Sequence, residues 1–415
     1  QSRFFENTVA ELVNLTGDYN ELKVRRALKN SRVLSSDVSA AMDPIFSSAM
    51  ELRNTAFFGK GLVFNKYTGS RGKSGSNDAN AEYIAKLRKI MDDNDVSFQT
   101  AELGKVDQGG GGTIAYILAN YGMESVFVTK LPDHAIGQAA IDSLRYFGVD
   151  TSKVVRGGER VGIYYLEKGA SQRGSVCIYD RKYSSIQQAS VSDFDWDAIF
   201  EGADWFHWTG ITPALSPQAA QIVLQACQTA KKYGVKISVD LNYRNKLWTS
   251  QQAIQTMRPL MQYVDVCIGN EEDAAKCLGY TVNANIQGGE TQHKHYEPLL
   301  KQMMQDFGFQ LVVTTLRESF SATHNGWKAL LYDGQEMYYS QYYDINPITD
   351  RIGAGDAFAA GLIHGLLSCM PLQTALDFGV AASALKHTIV GDFNLSSQQE
   401  ILALMNGNTN GRVQR

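Results

Sequence analysis

The stretch at residues 350–366, DRIGAGDAFAAGLIHGL, places glycines directly before an aspartate and an apolar helical run. Glycines permit an unusual backbone path and let main-chain N–H groups approach a ligand closely, while a helix that begins there directs its positive dipole end to the same place. The pattern therefore predicts an anion site at Gly353, Ala354 and Gly355, with Asp356 at the first helical position as a proton acceptor. The alternative is a glycine-rich turn in which Asp356 is only a helix N-cap.

Outward from this stretch, short β-rich runs alternate with helical patterns from about Ser125 onward. The predicted strands are SVFVTK, DWFHWTG, KISVDLN, DVCIGN and LVVTTL, at residues 125–130, 204–210, 236–242, 265–270 and 311–316. This rhythm predicts an α/β fold with a doubly wound, mostly parallel sheet and helices on both faces. Two further runs, GIYYLEKG and GSVCIYDR, predict a small β lid. Because ligands bind at the carboxyl ends of strands in open α/β sheets, the residues just after each strand are candidates for the site.

Composition excludes several classes of partner. The 415 residues carry a net charge of −4, and the lysines and arginines are spread along the chain, so no nucleic-acid footprint is indicated. The five cysteines form no C-x-x-C pair, which argues against a disulfide framework or a zinc knuckle and favours a reducing cytoplasm. Since no apolar run reaches membrane-spanning length, we expect no membrane partner.

The pattern D-x-x-G-A-G-D-x-F-x-x-G resembles the C-terminal signature of the ribokinase or PfkB-like carbohydrate kinases. The resemblance implies a ribokinase-like fold, ATP and Mg²⁺ as cofactors, Asp356 as catalytic base and the backbone of residues 353–355 as the anion hole. Many family members carry Thr or Pro after the first Asp, whereas this chain has Arg351. Its guanidinium group could contact a phosphate of the nucleotide or could point to solvent.

Four segments narrow the resemblance to 2-keto-3-deoxygluconate kinases, from about Glu124 to the C-terminus: RVGIYYLEKGASQRGSVCIYDRKYSSI, FHWTGITPALS, VDLNYRNKLW and GNEEDAAKCLG. A sugar acid requires a cation for its carboxylate and further donors for its hydroxyls. By similarity, Tyr164, Tyr179 and Arg181 on the lid and Arg244 after the strand ISVDLN would bind it. The alternatives are packing within the lid for the two tyrosines and a structural ion pair for Arg244.

The segment N-E-E-D, which begins at Asn270, resembles the N-x-x-E element that organises magnesium and phosphates in these kinases. Its fourth position is Asp273, one methylene shorter than the usual glutamate. A hard cation takes oxygen ligands directly or through water, so the resemblance implies an indirect Mg²⁺ role for Asn270 and Asp273. Glu272 is a rival for this role.

The first 122 residues resemble a different family. VLSSDVSAAMDP and GLVFNKYTGSRGKSGSNDANAEYIAKLRKIMDDNDVSFQ are similar to the catalytic region of aspartyl-aminopeptidase-type zinc metallopeptidases, which would make Asp37 a metal ligand. The alternative for Asp37 is an exposed or capping carboxylate. The following QGGGGTIAYILANYG fits the kinases' G-G-x-x-x-N-x-A helix in part: Gly109 and Gly110 match as substrate contacts, but Thr113 replaces the sugar-contacting Asn.

The two resemblances meet within LANYGMES and imply a chimera joined near Gly122. Residues 1–122 would be a metallopeptidase-like segment that completes the sheet through DVSFQTAEL or is appended to it. Residues 123–415 would be the kinase domain, with lid strands around 161–181. The nucleotide contacts are then complete and the sugar pocket is not, so we expect ATP to bind and sugar-acid phosphorylation to be weak or absent. A recombined scaffold without turnover and a metallo-aminopeptidase are the alternatives, and a homo-oligomer and monovalent-cation dependence stay open.

Overall fold

The chain forms two compact units, Gln1–Val106 and Asp107–Arg415. The computed structural model describes residues 3–17, 20–30, 62–67, 87, 89–91, 93–94, 98–102, 112–270, 272–281 and 292–408. The boundary between the units precedes the predicted junction near Gly122.

In the first unit, the described elements include a two-stranded parallel sheet. The elements are α1 (Arg3–Leu15), α2 (Glu21–Asn30), β1 (Leu62–Tyr67) and β2 (Phe98–Glu102). Leu62 lies opposite Phe98 in the register of this sheet. The predicted strand in DVSFQTAEL forms at β2, where it pairs with β1 in a two-stranded sheet of the first unit.

The second unit contains the elements of the predicted α/β fold. In chain order they are α3 (Thr113–Asn120), β3 (Lys130–Leu131), α4 (Ala135–Tyr146), β4 (Val155–Arg156), β5 (Ile163–Glu167), β6 (Val176–Asp180), α5 (Trp196–Phe200), β7 (Trp205–Thr209), α6 (Ile211–Ala214), α7 (Pro217–Lys232), β8 (Lys236–Asp240), α8 (Ser250–Met261), β9 (Val266–Asn270), α9 (Asp273–Leu278), α10 (Glu297–Phe307), β10 (Leu311–Ser321), β11 (His324–Tyr332), β12 (Met337–Tyr339), β13 (Tyr343–Ile345), α11 (Ala354–Leu367), α12 (Leu372–Lys386) and α13 (Gln398–Met405).

The central sheet has the strand order β12-β11-β10-β9-β8-β7, with β13 also paired to β11. Strands β7 to β10 are parallel to one another, and β11 runs antiparallel to its neighbours. Parallel strands joined by helical crossovers end at the same edge of a sheet, so the segments that follow β7, β8, β9 and β10 lie along one edge. The predicted doubly wound, ribokinase-like fold is confirmed.

The side chains of strand β9 show that both faces of this sheet are covered. Its successive side chains point to opposite faces. Cys267 packs in the same apolar cluster as Met257 of α8, whereas Val266 and Ile268 pack in another cluster with Phe358 of α11. All three strand residues are buried, which is why the sequence there reads as a continuous apolar run.

Strands β5 and β6 form a separate antiparallel pair, the lid pair, in which Tyr164 lies opposite Tyr179. This confirms the small lid sheet expected from the two aromatic runs. Because residues directly opposite each other in an antiparallel pair lie on the same face, both tyrosines are on one face of the lid pair.

The prediction of a strand over SVFVTK is wrong for most of its length. Regular pairing is confined to β3 with β4, and Val126 makes only an isolated bridge to Asp150. The N–H of Phe127 donates to Asp150 O at 2.9 Å, so the segment is tied to its neighbour without forming a continuous ladder. β-propensity alone does not make a strand where a regular partner is lacking.

All five cysteines are free, and Cys227, Cys267 and Cys277 are buried. Burial raises the pKa of the Cys227 thiol to about 12, so that this thiol stays protonated and behaves as a small apolar group. Within the described parts of the chain, no helix combines the length and the apolar character needed to cross a membrane.

Candidate active site

The turn before α11 has the geometry expected of an anion hole. Gly353 is the N-cap residue and has φ +77°, in the left-handed region that favours glycine. A Cβ at this position would lie 2.0 Å from the carbonyl oxygen of Asp392, whereas a Cβ on Gly355 would meet no atom of the described residues within 4 Å. The path of the turn therefore requires glycine at 353, and the side of the turn at Gly355 is open to a ligand. The N–H of Ala354 donates to the carbonyl oxygen of Arg351 at 3.3 Å. N–H groups at a helix start have no acceptor within the helix, and such groups favour an anion.

Asp356 is the third residue of α11 and not the first, as the sequence predicted. The N-cap is Gly353, so the interpretation of Asp356 as a simple N-cap is wrong. Burial raises the pKa of the Asp356 carboxyl, and the positive charges of Arg244 and Lys386 oppose this shift. A carboxyl with a raised pKa beside a helix N-terminus is suited to accept a proton from a hydroxyl group.

Asp240, which the sequence analysis did not single out, belongs to the same site. It is the last residue of β8, at the carboxyl edge of the sheet. Burial, and then the negative charges of Asp273 and Asp356, raise its pKa well above the usual value, while Arg244 opposes the shift. The sequence did contain a signal for Asp240, because this aspartate lies near the carboxyl end of the predicted strand KISVDLN, where ligands bind in such sheets.

Arg244 supplies the positive charge of this cluster. It follows β8 by four residues, and its Nη1 donates to the carbonyl oxygen of Tyr243 at 3.1 Å. Its charge lowers the pKa of Asp356, of Asp240 and of Tyr179 on the lid pair, although burial raises each of them by more. The predicted binding residue after β8 therefore lies within electrostatic reach of both the candidate base and the lid.

Asp273 ties two loops of the site together. Its carboxylate accepts the N–H of Asn270 at 2.9 Å and the N–H of Tyr243 at 3.1 Å. The side chain is buried, and burial raises its pKa although these backbone hydrogen bonds oppose the shift. Because each oxygen accepts a backbone N–H, the carboxylate joins the end of β9 to the segment after β8.

Asn270 and Glu272 complete the predicted N-x-x-E element. The side-chain oxygen of Asn270 accepts the N–H of Glu272 at 2.9 Å and that of Asp273 at 3.2 Å. Of the two acidic candidates for the Mg²⁺ role, Glu272 is exposed and Asp273 is buried, so the carboxylate of Glu272 is the one that faces water. Within the described ranges, no group of three or more His, Cys, Asp or Glu side chains is arranged to hold a metal ion.

The lid pair presents a cationic group beside an aromatic ring. The guanidinium carbon of Arg181 lies 4.4 Å from the centre of the Tyr179 ring, a cation–π distance. The ring centres of Tyr164 and Tyr179 are 6.5 Å apart. Nη1 of Arg181 is buried and has no hydrogen-bond partner among the described residues. A buried guanidinium nitrogen without an acceptor is a costly feature in a folded protein, and it is expected where a ligand completes the bonding.

Two contacts join the lid pair to residues 350–355, which we call the anion-hole turn, and to Asp392, which packs against that turn. The hydroxyl of Tyr164 donates to the Asp392 carboxylate, and Nζ of Lys168 lies 2.8 Å from Oδ2 of Asp350. Burial opposes ionisation of Asp350, but hydrogen bonds from Lys168 and from two backbone N–H groups hold its pKa below the usual range. The Tyr164 hydroxyl therefore has a structural partner in addition to its position on the lid.

Arg351 adopts neither of the two orientations considered from the sequence. Its Nε donates to the carbonyl oxygen of Ala322 at 2.9 Å, and its Nη2 donates to Oδ1 of Asn325 at 2.9 Å and to the carbonyl oxygen of Ser321. A planar guanidinium group satisfies several carbonyl acceptors of a tight turn at once. The side chain thus anchors the β10–β11 turn, and we assign it no contact with a nucleotide.

Three of the predicted residues, Gly109, Gly110 and Asp37, lie outside the described residues. Thr113, which stands where the resemblance expects an Asn, is buried at the start of α3. Of the predicted set, Arg244 interacts electrostatically with Asp356 and Asp273 and with Tyr179 and Arg181 of the lid pair. Asn270 joins this group through its hydrogen bond to Asp273.

Comparison with known proteins identifies two families along the chain. A family model described as pfkB family carbohydrate kinase matches residues 78–397, and one described as Aminopeptidase I zinc metalloprotease (M18) matches residues 1–144. Both resemblances inferred from the sequence are therefore confirmed, and the two matches overlap around the predicted junction.

Two solved structures resemble the kinase part. The 2-dehydro-3-deoxygluconokinase from Thermotoga maritima has 45% sequence identity and a TM-score of 0.69, over 72% of this chain and 90% of that chain. A PfkB family carbohydrate kinase from Listeria grayi has 32% identity and a TM-score of 0.66, over 72% of this chain and 90% of that chain.

Curated relatives show the same division. The 2-dehydro-3-deoxygalactonokinase of Haloferax volcanii is 30% identical over 303 residues, which are 73% of this chain and 88% of that protein. "Probable M18 family aminopeptidase 1" of Clostridium acetobutylicum is 70% identical over 126 residues, which are 30% of this chain. The chain spans only 27% of the length of this aminopeptidase.

Proposed function

Because the chain belongs to the pfkB family of carbohydrate kinases, we propose that it transfers a phosphoryl group from ATP to a hydroxyl of a sugar acid, specifically 2-keto-3-deoxygluconate. Two relatives whose names specify a 2-dehydro-3-deoxy sugar acid support this substrate class. A small-molecule acid and a nucleotide would then be the partners of this chain.

The observation that carries the proposal is the buried Nη1 of Arg181, which has no acceptor among the described residues. A guanidinium group binds a carboxylate through charge-assisted hydrogen bonds, and a neutral sugar cannot supply an equivalent acceptor. Arg244 adds a second positive charge, close enough to influence Tyr179 on the lid pair. Two positive charges beside the lid pair favour an anionic sugar over a neutral one.

In the proposed reaction, Asp356 accepts the proton of the attacking hydroxyl. The hydroxyl oxygen forms a bond to the γ-phosphorus as the bond from that phosphorus to the leaving oxygen of ADP breaks. The N–H groups of residues 353–355 would stabilise the charge on the transferring phosphoryl oxygens. Most of the rate enhancement would come from positioning and from this charge stabilisation.

The residues near β9 fit a magnesium ion that is held mainly by phosphates and water. Mg²⁺ keeps several water ligands and uses few protein carboxylates in kinases. The exposed carboxylate of Glu272 is available for such a role, and Asn270 and Asp273 hold the loop that carries it. When bound with ATP, the ion would neutralise phosphate charge.

The first test separates the nucleotide site from the sugar site. We expect isothermal titration calorimetry to detect Mg-ATP binding, because the proposed nucleotide contacts lie in the continuous kinase-like part. We expect phosphorylation of 2-keto-3-deoxygluconate to be weak but measurable, because the hydroxyl of Thr113 cannot replace both the donor and the acceptor of an amide. A coupled assay for ADP measures the turnover. The same assay is run with the C4 epimer 2-keto-3-deoxygalactonate, so that the two acids can be compared.

The outcomes of this test differ for each alternative. No binding of ATP would overturn the kinase proposal. ATP binding with no phosphorylation of either acid would support the recombined scaffold, and tight acid binding with rapid turnover would show that the N-terminal segment rebuilds the sugar pocket.

The second test concerns the lid. We expect Arg181→Ala to weaken binding of 2-keto-3-deoxygluconate by about 1.5–3 kcal/mol, since a charge-assisted hydrogen bond to its carboxylate is lost. Binding of ATP, measured by the same titration, is expected to be unchanged. Arg173→Ala is the matched control, because Arg173 is a lid arginine whose Nη1 pairs with the exposed Glu167 at 2.5 Å. Equal affinity of the parent protein for the acid and for its neutral sugar analogue would contradict this role of Arg181.

A further inference from the structure

Lys386 is a buried cation that the proposed mechanism does not yet use. It is the last residue of α12, and 0% of its surface is exposed. Its Nζ donates to the carbonyl oxygen of Ile389 at 3.0 Å. Removing an ammonium group from water is costly, so a lysine in such a place requires compensation from its surroundings or a role that outweighs the cost.

The end of α12 that carries Lys386 supports the anion-hole turn from behind. Ser383 Oγ donates to the carbonyl oxygen of Ala354 at 2.8 Å. The carbonyl oxygen of His387 accepts the N–H of Thr349 at 2.8 Å and the N–H of Asp350 at 3.1 Å. Residues on both sides of Lys386 therefore hold the chain that leads into the turn.

The segment that follows Lys386 touches the same turn. The N–H of Gly391 donates to Oδ2 of Asp350 at 3.0 Å. The carbonyl oxygen of Asp392 occupies the space where a Cβ of Gly353 would lie. Lys386 is thus enclosed by a stretch that contacts the turn at several points, and its charge is held in one place.

We propose that Lys386 is a positioning residue of the phosphoryl transfer: its buried ammonium group supplies fixed positive charge behind the anion-hole turn and acts on the reaction through Asp356. This inference rests on the proposed kinase function. It goes beyond the expected base and anion hole, because Lys386 lies on a different helix and in none of the sequence patterns considered above.

The electrostatics of Asp356 support this role. Burial raises the pKa of Asp356, and Arg244 and Lys386 are the cations that oppose the shift, from the segment after β8 and from α12 respectively. Among the described residues, the acidic group of Asp240 at the end of β8 also interacts with Asp356. His387, next to Lys386, adds no charge near neutral pH, because burial lowers its pKa to about 4.

The test is Lys386→Met, which keeps the length of the side chain and removes its charge. We expect the carboxyl of Asp356 to titrate at higher pH in the variant, because one of the two opposing cations is lost. ¹³C NMR of carboxyl-labelled aspartate measures this, with the Asp356 signal assigned by its loss in Asp356→Asn. In the coupled assay at neutral pH, we expect turnover to fall about tenfold, less than the ~10²–10³-fold that follows loss of a direct oxyanion donor.

Two further variants separate charge from structure. Lys386→Gln keeps a donor for the Ile389 carbonyl but has no charge, so it is expected to shift the titration of Asp356 in the same direction. Lys231→Met is the matched control, because the Nζ of Lys231 pairs with Asp265 at 2.8 Å, just before the start of β9 at the opposite edge of the sheet. It is expected to leave the titration of Asp356 unchanged.

An unchanged Asp356 titration in folded Lys386→Met would overturn the proposal, as would a parent-like titration in Lys386→Gln. If the methionine variant does not fold, the glutamine variant decides. Failure of the proposed kinase function is a separate result, because absent ATP binding by the parent protein would show it, whereas the NMR titration needs neither ATP nor turnover.

Discussion

Asp356→Asn is expected to lower phosphorylation of 2-keto-3-deoxygluconate by at least ~10²-fold, the usual loss when a general base is removed. The substitution keeps the shape of the side chain but leaves no group that can take the proton of the attacking hydroxyl. Binding of ATP should persist, since the N–H groups of the turn are unchanged. Turnover is measured in the coupled assay and ATP binding by calorimetry.

The pH dependence of the parent protein gives an independent check on the same residue. Burial raises the pKa of Asp356, and a base must be unprotonated to act. Turnover should therefore be present at higher pH and fall as the pH is lowered through this raised pKa, at a higher pH than for an ordinary aspartate.

Asp377→Asn is the matched control for this substitution. Asp377 is another buried aspartate, and its carboxylate accepts the N–H of Gln341 at 2.8 Å and Nε2 of Gln373 at 2.9 Å, near the start of α12. Its substitution should leave turnover per folded molecule unchanged. Parent-like turnover of Asp356→Asn would end the assignment of Asp356 as the base.

Gly353→Ala is expected to destabilise the protein and to disrupt the anion hole. A left-handed backbone at a residue with a Cβ costs about 1–2 kcal/mol. The new methyl group would also lie 2.0 Å from the Asp392 carbonyl oxygen, and overpacking of this kind costs about 1–3 kcal/mol. The free energy of unfolding should therefore fall by about 2–5 kcal/mol in denaturant titrations. Remaining folded protein should lose ~10²–10³-fold in turnover as the donors move.

Gly355→Ala is the control, because two residues further along the turn the same added methyl group meets no atom within 4 Å in the described part of the chain. Its free energy of unfolding should stay equal to that of the parent protein or rise slightly, since alanine is favoured over glycine in a helix. If the two alanine variants unfold at the same denaturant concentration, the packing of Asp392 against the turn is not what requires glycine at 353.

Several elements of the fold could be predicted because their causes are local. The continuous apolar runs of β8, β9 and β10 predicted buried parallel strands, since both faces of such strands are covered. The segment SVFVTK is also rich in residues that favour strands, but it forms little regular strand, because a strand also needs a partner along its length. The composition of a segment indicates which of its side chains will be buried, but the pairing of a strand depends on residues that are distant in the sequence.

The sequence alone determined the glycine turn before α11 and the lid pair, and it marked Asp356 as the candidate base. Gly353, Gly355 and Asp356 were recognisable because backbone conformation and helix start are properties of a few neighbouring residues. The orientation of long side chains was not recognisable in this way. Arg351, adjacent in sequence to the turn, binds the carbonyl groups of the β10–β11 turn about thirty residues away.

Only the tertiary structure decided which distant charges act on Asp356. Asp240 ends β8, Arg244 follows it and Lys386 ends α12, so these residues lie 116, 112 and 30 positions from Asp356 along the chain, counted from their residue numbers. Burial makes their interaction strong, because charges in a poorly solvated site are screened less than at a surface. The sequence specifies each of these side chains, but their influence on one carboxyl arises from distance and desolvation, which exist only after the helices and strands have packed.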